Sequence, residues 1–193
     1  MSEVTFGNDG DYSDTQMILK VNANLANELG NLCQRTLSMV FKSCGKAVPE
    51  PNELNPDDKA LLESARGLRE RASIAIADQA ILKYIQVVVG MIWEANKYID
   101  KMAPWALKKT DPDRMNTVLY VILEVLRYSA ILYQPVIPAS ANNILDQLQV
   151  PDDERTFLHL NDDYRIKPGA PISKPQVVFP RLEVPEADLI ETK

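Results

Sequence analysis

Asn31 and Arg35 stand four apart in a helical pattern, so an amide and a guanidinium point the same way from adjacent turns. Together they make a compact fork of donors and an acceptor, of the kind that reads the edge of a nucleic-acid base. The wider stripe of Asn24, Asn27, Glu28, Asn31 and Arg35 also suits an ordinary solvated face. Trp105 is a third candidate, directly after Ala103-Pro104. Pro104 removes a backbone donor and disfavours helical geometry in the residue before it, so the preceding helix is predicted to end near Met102 or Ala103. A large flat ring at a helix end either closes a core or offers a stacking surface, and chemistry alone does not choose.

Other reactive side chains compose no catalytic constellation. His159 is the only histidine, and no Ser or Cys nucleophile is arranged with it, so it reads as a surface imidazole. Cys33 and Cys44 form no CxxC and have no second pair, which points to neither a zinc site nor a disulfide framework and makes a reducing compartment the default. Glu94, Asp100 and Glu124 are available carboxylates without a paired electrophile or metal, so an enzyme in its own right carries little weight. Lys101, Lys108 and Lys109, with Arg114, could supply phosphate contacts near Trp105. Asp100, Asp111 and Asp113 are interleaved with them, and the patch also reads as a charge-balanced surface.

The elements that must hold these residues are helices. The chain has 193 residues, 46% hydrophobic and 25% charged, which fits one globular domain with a core of its own. Ser13 and Gln16 start a helical pattern that runs to Cys44, with a kink or restart over Val21–Asn24, and Gly45 closes it in a left-handed cap. Asn55-Pro56-Asp57-Asp58 opens the next helix, buried through Leu61, Ala65, Leu68, Ala72 and Ala75. Asp78 caps a third, expected from about Gln79 to Met102, whose stripe of Ile81, Ile85, Val88, Ile92, Ala95, Ile99 and Met102 has bundle spacing. Asp111-Pro112 starts a fourth that runs to about Tyr133, with Met115, Val118, Leu119, Ile122, Val125, Leu126, Ser129 and Leu132 inward. Ser140–Leu148 makes a short fifth. No strand is predicted, so the fold class is all-α: a five-helix bundle over 13–150, a connector over 1–12 and a proline-rich segment over 151–193.

The formal net charge of -6 argues against coating of nucleic acid by bulk attraction to phosphate and leaves room for local, base-directed recognition. The longest apolar run, Val87 to Trp93, is interrupted by Gly90 and is far shorter than the roughly 20 residues of a spanning helix. No basic n-region with a following apolar stretch stands at Met1, so no secretory signal is expected.

Four segments resemble a known family: Phe6-Gly7-Asn8-Asp9-Gly10-Asp11; Leu25 to Asn31 with Arg35 to Met39; Asn96 to Trp105; and Leu126-Arg127-Tyr128 with Gln134-Pro135 and Ile137-Pro138. Their order and spacing are similar to the C-terminal helical part of methionyl-tRNA synthetase of the single-subunit bacterial or organellar type, and Ile172 to Glu183 is similar to that family's closing segment. The resemblance implies an anticodon-binding bundle for methionine tRNA, with Asn31 and Arg35 on the first anticodon base and Trp105, beside Pro104, stacked on an anticodon base. The family's His-Ile-Gly-His-like and Lys-Met-Ser-Lys-Ser-like motifs are not in this sequence, so ATP belongs to a catalytic domain in cis or on a separate chain, and this chain is expected to hold no cofactor or metal and to charge no tRNA alone. The resemblance begins almost at Met1. That implies a start internal to a longer enzyme, with 1–12 as the end of a connector and 151–193 packing back or docking on the catalytic domain. The expected partners are methionine tRNA and that domain, not DNA or a membrane. The expected compartment is the cytoplasm, or a mitochondrial or plastid matrix. The alternative is a stand-alone helical protein-interaction module, favoured by the acidic charge and the proline-rich tail.

Overall fold

The computed structural model describes residues 13–183. The connector expected over 1–12 and the last residues of the tail lie outside them. The first rod is α1 (Asp14–Lys20), a wider-wound π-helical segment (Val21–Gly30) and α2 (Asn31–Ser43), joined without leaving helical dihedrals. Ser13 caps it by accepting from the Gln16 amide at 3.3 Å. The expected kink over Val21–Asn24 is thus a change of winding and not a break. Two contacts with the distant tail accompany it. Buried Asn22 clasps the Leu182 backbone from both sides, donating at 2.8 Å and accepting at 2.9 Å. Gly30 faces Phe179, and a Cβ there would lie 3.1 Å from the Leu25 carbonyl. Gly45 (φ +64°) then reverses the chain, as its position after the helix implies.

Asn55 and Asp58 close a reciprocal capping box, both bonds 2.9 Å, at the start of α3 (Pro56–Arg66). The helix expected to run on through Ala75 is divided at Gly67, beyond which α4 (Leu68–Ala77) continues. Every residue of the predicted stripe is nevertheless buried, because the division keeps Leu61, Ala65, Leu68, Ala72 and Ala75 on one side. Asp78 does not cap the next helix. It terminates α4, and the Gln79 and Ala80 amides turn back to the Ile76 and Ala75 carbonyls at 2.9 and 2.8 Å, with Gln79 left-handed. Those residues are used in closing one helix, so α5 starts only at Ile81 and ends at Met102.

Ala103 lies in the left-handed region (φ 43°, ψ 58°), and Pro104 becomes the first residue of a seven-residue helix, α6 (Pro104–Thr110). Asp111 accepts from the Arg114 amide at 3.0 Å and opens α7 (Pro112–Tyr133), and α8 (Pro138–Gln147) follows. α7 is the axis of the molecule. The pattern predicts one inward face, yet every residue from Thr117 to Tyr133 is buried, since α2, α3, α4, α5, α6 and α8 all pack against it. By length and composition α7 is apolar enough to cross a membrane; here it is surrounded by the rest of the bundle.

The tail lies along the bundle in three single turns of 3-10 helix, Asp152–Glu154, Phe157–His159 and Asp162–Tyr164. Buried Arg127 donates to the His159 and Asn161 carbonyls at 2.8 and 3.3 Å, and Glu124 accepts from the Ile166 amide at 2.5 Å. Farther on, Ala47 and Pro171 form an isolated antiparallel bridge, and no strand is present among the described residues.

Candidate nucleic-acid interface

Two residues of the polar stripe on the first rod, Glu28 and Arg35, reach α5 and join the two elements through a chain of side chains. Arg35 donates through one η nitrogen to Asp100 Oδ1 at 3.0 Å and through the other to Asn96 Oδ1 at 3.1 Å. The Asn96 amide donates in turn to Glu28 Oε2 at 2.8 Å and to the Glu28 carbonyl at 3.4 Å. The Glu28 carboxylate accepts only, so the Asn96 nitrogen must face it and the Asn96 oxygen must face Arg35. One carboxylate thereby fixes the orientation of the fork two residues away in the network. The Arg35 and Asp100 side chains are 41% and 62% exposed, so their ion pair adds no more than about 0.2–1 kcal/mol. It aims the guanidinium without tying it down.

Asn31 is exposed on the preceding turn, with no side-chain hydrogen bond among the described residues. Its amide is open to an incoming ligand. Trp105 is 50% exposed, which decides the choice between core and surface: the ring is on the outside. What is buried is its support. Pro104 is buried at the first position of α6, and Leu107 packs against the core. The Ala103 amide closes α5 on the Ile99 carbonyl at 2.9 Å, and the Ala106 amide begins α6 on the Ala103 carbonyl at 2.8 Å. The indole therefore leaves a fixed corner, past the left-handed turn at Ala103 that ends the helix carrying Asp100.

The basic residues divide. Lys101 reaches both Asp57 oxygens at 2.8 and 2.9 Å. Lys108 and Lys109 are exposed in the last turn of α6, with no ion pair among the described residues. Arg114 is committed inward, gripping Asp58 with both η nitrogens at 2.5 and 2.6 Å, while the Tyr98 hydroxyl donates to the same carboxylate at 2.5 Å. Burial would raise the Asp58 pKa, but hydrogen bonds from Arg114, Tyr98 and the Asn55 amide outweigh it and hold the carboxyl below its ordinary value.

The residues weighed for other chemistry are occupied. His159 Nδ1 accepts from the Thr156 amide at 3.3 Å, and its ring packs edge-on to Tyr164 with the ring centroids 4.4 Å apart. Glu94 accepts from the Ser64 hydroxyl at 2.7 Å, and Glu124 is paired with Arg127 at 2.9 Å. Burial pushes the Cys33 thiol up to about 12 and Cys44 to about 11, which keeps both protonated. Among the described residues no group of three His, Cys, Asp or Glu side chains could hold a metal ion. Sequence reasoning gave Glu28, Asn96 and Asp100 no part in aiming Arg35. The available signal was the spacing of Asn96 and Asp100, four apart on a helix whose buried stripe excludes both.

Comparison with known proteins agrees with this architecture. The family described as the anticodon binding domain of methionyl tRNA ligase matches residues 48–192, and the chain belongs to that family. Methionine--tRNA ligase of Mesorhizobium japonicum is 46% identical over 189 residues, 97% of this chain and 37% of that protein. The corresponding protein of Mycobacterium leprae is 42% identical over 192 residues, 97% of this chain and 35% of its own length. The crystal structure of apo Mycobacterium tuberculosis methionyl-tRNA synthetase superposes with a TM-score of 0.91 at 43% identity, covering 95% of this chain and 37% of that one. The chain thus spans little more than a third of the length of the relatives it matches.

Proposed function

We propose that the face formed by α2, α5 and α6 binds the anticodon loop of methionine tRNA and reads its CAU sequence, as the tRNA-recognising part of a methionine-tRNA ligase. The supporting observation is the placing of Asn31 and Arg35 on adjacent turns, the latter aimed by Asn96 and Asp100, with an outward Trp105 just past the end of the helix that carries them. The fork presents donors and an acceptor to the edge of an unstacked base, and the indole offers its flat face to a base. Pro104 supports the backbone beneath the ring, and Lys108 and Lys109 stand next to it for phosphate. In the complete enzyme the catalytic domain, in cis or on another chain, would carry ATP and methionine.

The test is binding of the full chain to a labelled anticodon stem-loop hairpin, followed by fluorescence anisotropy. Trp105→Ala and Arg35→Ala should each weaken binding by about 1–3 kcal/mol with the helical circular dichroism unchanged. Equal affinity for a hairpin with an unrelated anticodon would sink the proposal.

A further inference from the structure

Both tryptophans of the chain are on the outside. Trp93 and Trp105 are each 50% exposed, whereas the buried core is built from aliphatic residues, methionine, tyrosine and Cys33. Trp93 is on α5, where the buried positions include Ile85, Val88, Ile92, Ala95 and Ile99, and it falls on the opposite side of the helix. It precedes Asp100 by seven residues, two helical turns less about 20°, so the two share one outward stripe. Asn96 is three residues on from Trp93, and Arg35 and Glu28 of the first rod reach Asn96. Asn96 and Asp100, the α5 members of the Glu28–Asn96–Arg35–Asp100 chain, therefore fall between two half-exposed indoles, Trp93 on α5 and Trp105 at the start of α6. Lys97, the next residue one turn along from Trp93, is exposed and has no ion pair among the described residues.

We infer that Trp93 is a second stacking platform for the same RNA loop, holding an unstacked base other than the one on Trp105. The inference rests on the anticodon-binding reading of this face. The axial rise from Trp93 to Met102 alone is about 13 Å, against about 3.4 Å between stacked bases, so one base cannot meet both rings. The polar fork then lies between two aromatic contacts, and a loop splayed along α5 is gripped by stacking at both ends and read in the middle. Stacking needs no phosphate attraction, which suits an acidic protein.

The full chain and its Trp93→Ala, Trp93→Phe and Trp105→Ala variants are titrated against a labelled hairpin carrying the CAU loop, and against hairpins with a single abasic site at each loop position in turn. Circular dichroism melting checks each variant. Trp93→Ala should bind about five- to 150-fold more weakly, Trp93→Phe should recover most of that, and one abasic position should abolish the Trp93→Ala effect while a different one abolishes the effect of Trp105→Ala. If Trp105→Ala weakens binding and Trp93→Ala does not, the second platform is refuted and the anticodon reading stands. An effect of Trp93→Ala that survives every abasic site also refutes it. If the wild type does not distinguish CAU from an unrelated loop and Trp105→Ala binds unchanged, the underlying reading has failed instead. Should Trp93→Ala melt early, Trp93→Gln takes its place in the same comparison.

Discussion

At Arg35 two acceptors from one helix, Asn96 and Asp100, each take an η nitrogen of the guanidinium. A lysine ammonium is a point charge that could pair with Asp100 but could not hold both contacts in one plane and still offer a planar fork outward. Arg35→Lys is therefore expected to lose about 1–3 kcal/mol of hairpin affinity although the charge is kept. Folding stability should change by no more than about 0.5 kcal/mol, since the pair is largely solvated. Parallel anisotropy titrations and urea melts separate the two quantities. If the lysine variant binds like wild type, Arg35 acts through charge alone and the base-edge fork is the wrong description. The adjacency of Asn31 and Arg35 was legible in the sequence, because they stand four apart on one helix. The aiming of Arg35 was not: Glu28 and Asn96 are 68 residues apart, and only packing brings them to 2.8 Å.

At the scale of elements, boundaries with a complete local signal were legible, the stops at Met102 and Tyr133 as much as the start at Pro56. Asn55-Pro56-Asp57-Asp58 is a local signal, complete within a few residues, and the capping box forms as its chemistry requires. The division at Gly67 and the left-handed Gln79 depend on how α3 and α4 settle on α7 and α5, which no local pattern records. Asp58 also does more than cap. It joins α3 to α5 through Tyr98 and to α7 through Arg114, so three helices share one buried carboxylate. Its folded pKa lies below the unfolded value, so the charged form contributes stability that is fully present above the unfolded pKa and is lost as pH falls through the folded one. The window is acidic, below about pH 4, the ordinary aspartate range. Asp162, held down by Arg165 and Arg66 against its own burial, contributes with the same sign. Urea midpoints measured from pH 6 to pH 2 should fall steeply in that window, and Asp58→Asn should flatten the fall while lowering the plateau. A variant with the wild-type slope would remove Asp58 from the account of acid unfolding.

The whole molecule is organised around α7, and this was the part of the fold least legible in the sequence. A stripe predicts one buried face, but a helix wrapped on all sides must also bury its polar residues, and Glu124 and Arg127 are 3% and 1% exposed. They are tolerated because the tail satisfies them: Arg127 donates to the His159 and Asn161 carbonyls, and Glu124 accepts from the Ile166 amide. The proline-rich segment, which has no periodicity to read, is positioned by the two residues of α7 that least resemble core. Arg127→Met removes one partner and leaves a buried carboxylate beside two unpaired carbonyls, an expected loss of about 3–5 kcal/mol, or roughly 6–20 °C in melting midpoint for a domain of this size. Arg127→Met combined with Glu124→Leu removes both charges, and the pair should cost less together than Arg127→Met alone, because the stranded carboxylate is gone. Hydrogen exchange should report faster opening over 157–166 in both variants, since neither retains the donors that fix the tail. If the two substitutions add, or if the tail amides exchange at the wild-type rate, the ion pair is incidental and apolar contacts of Leu160, Ile166 and Ile172 with the core hold the tail instead.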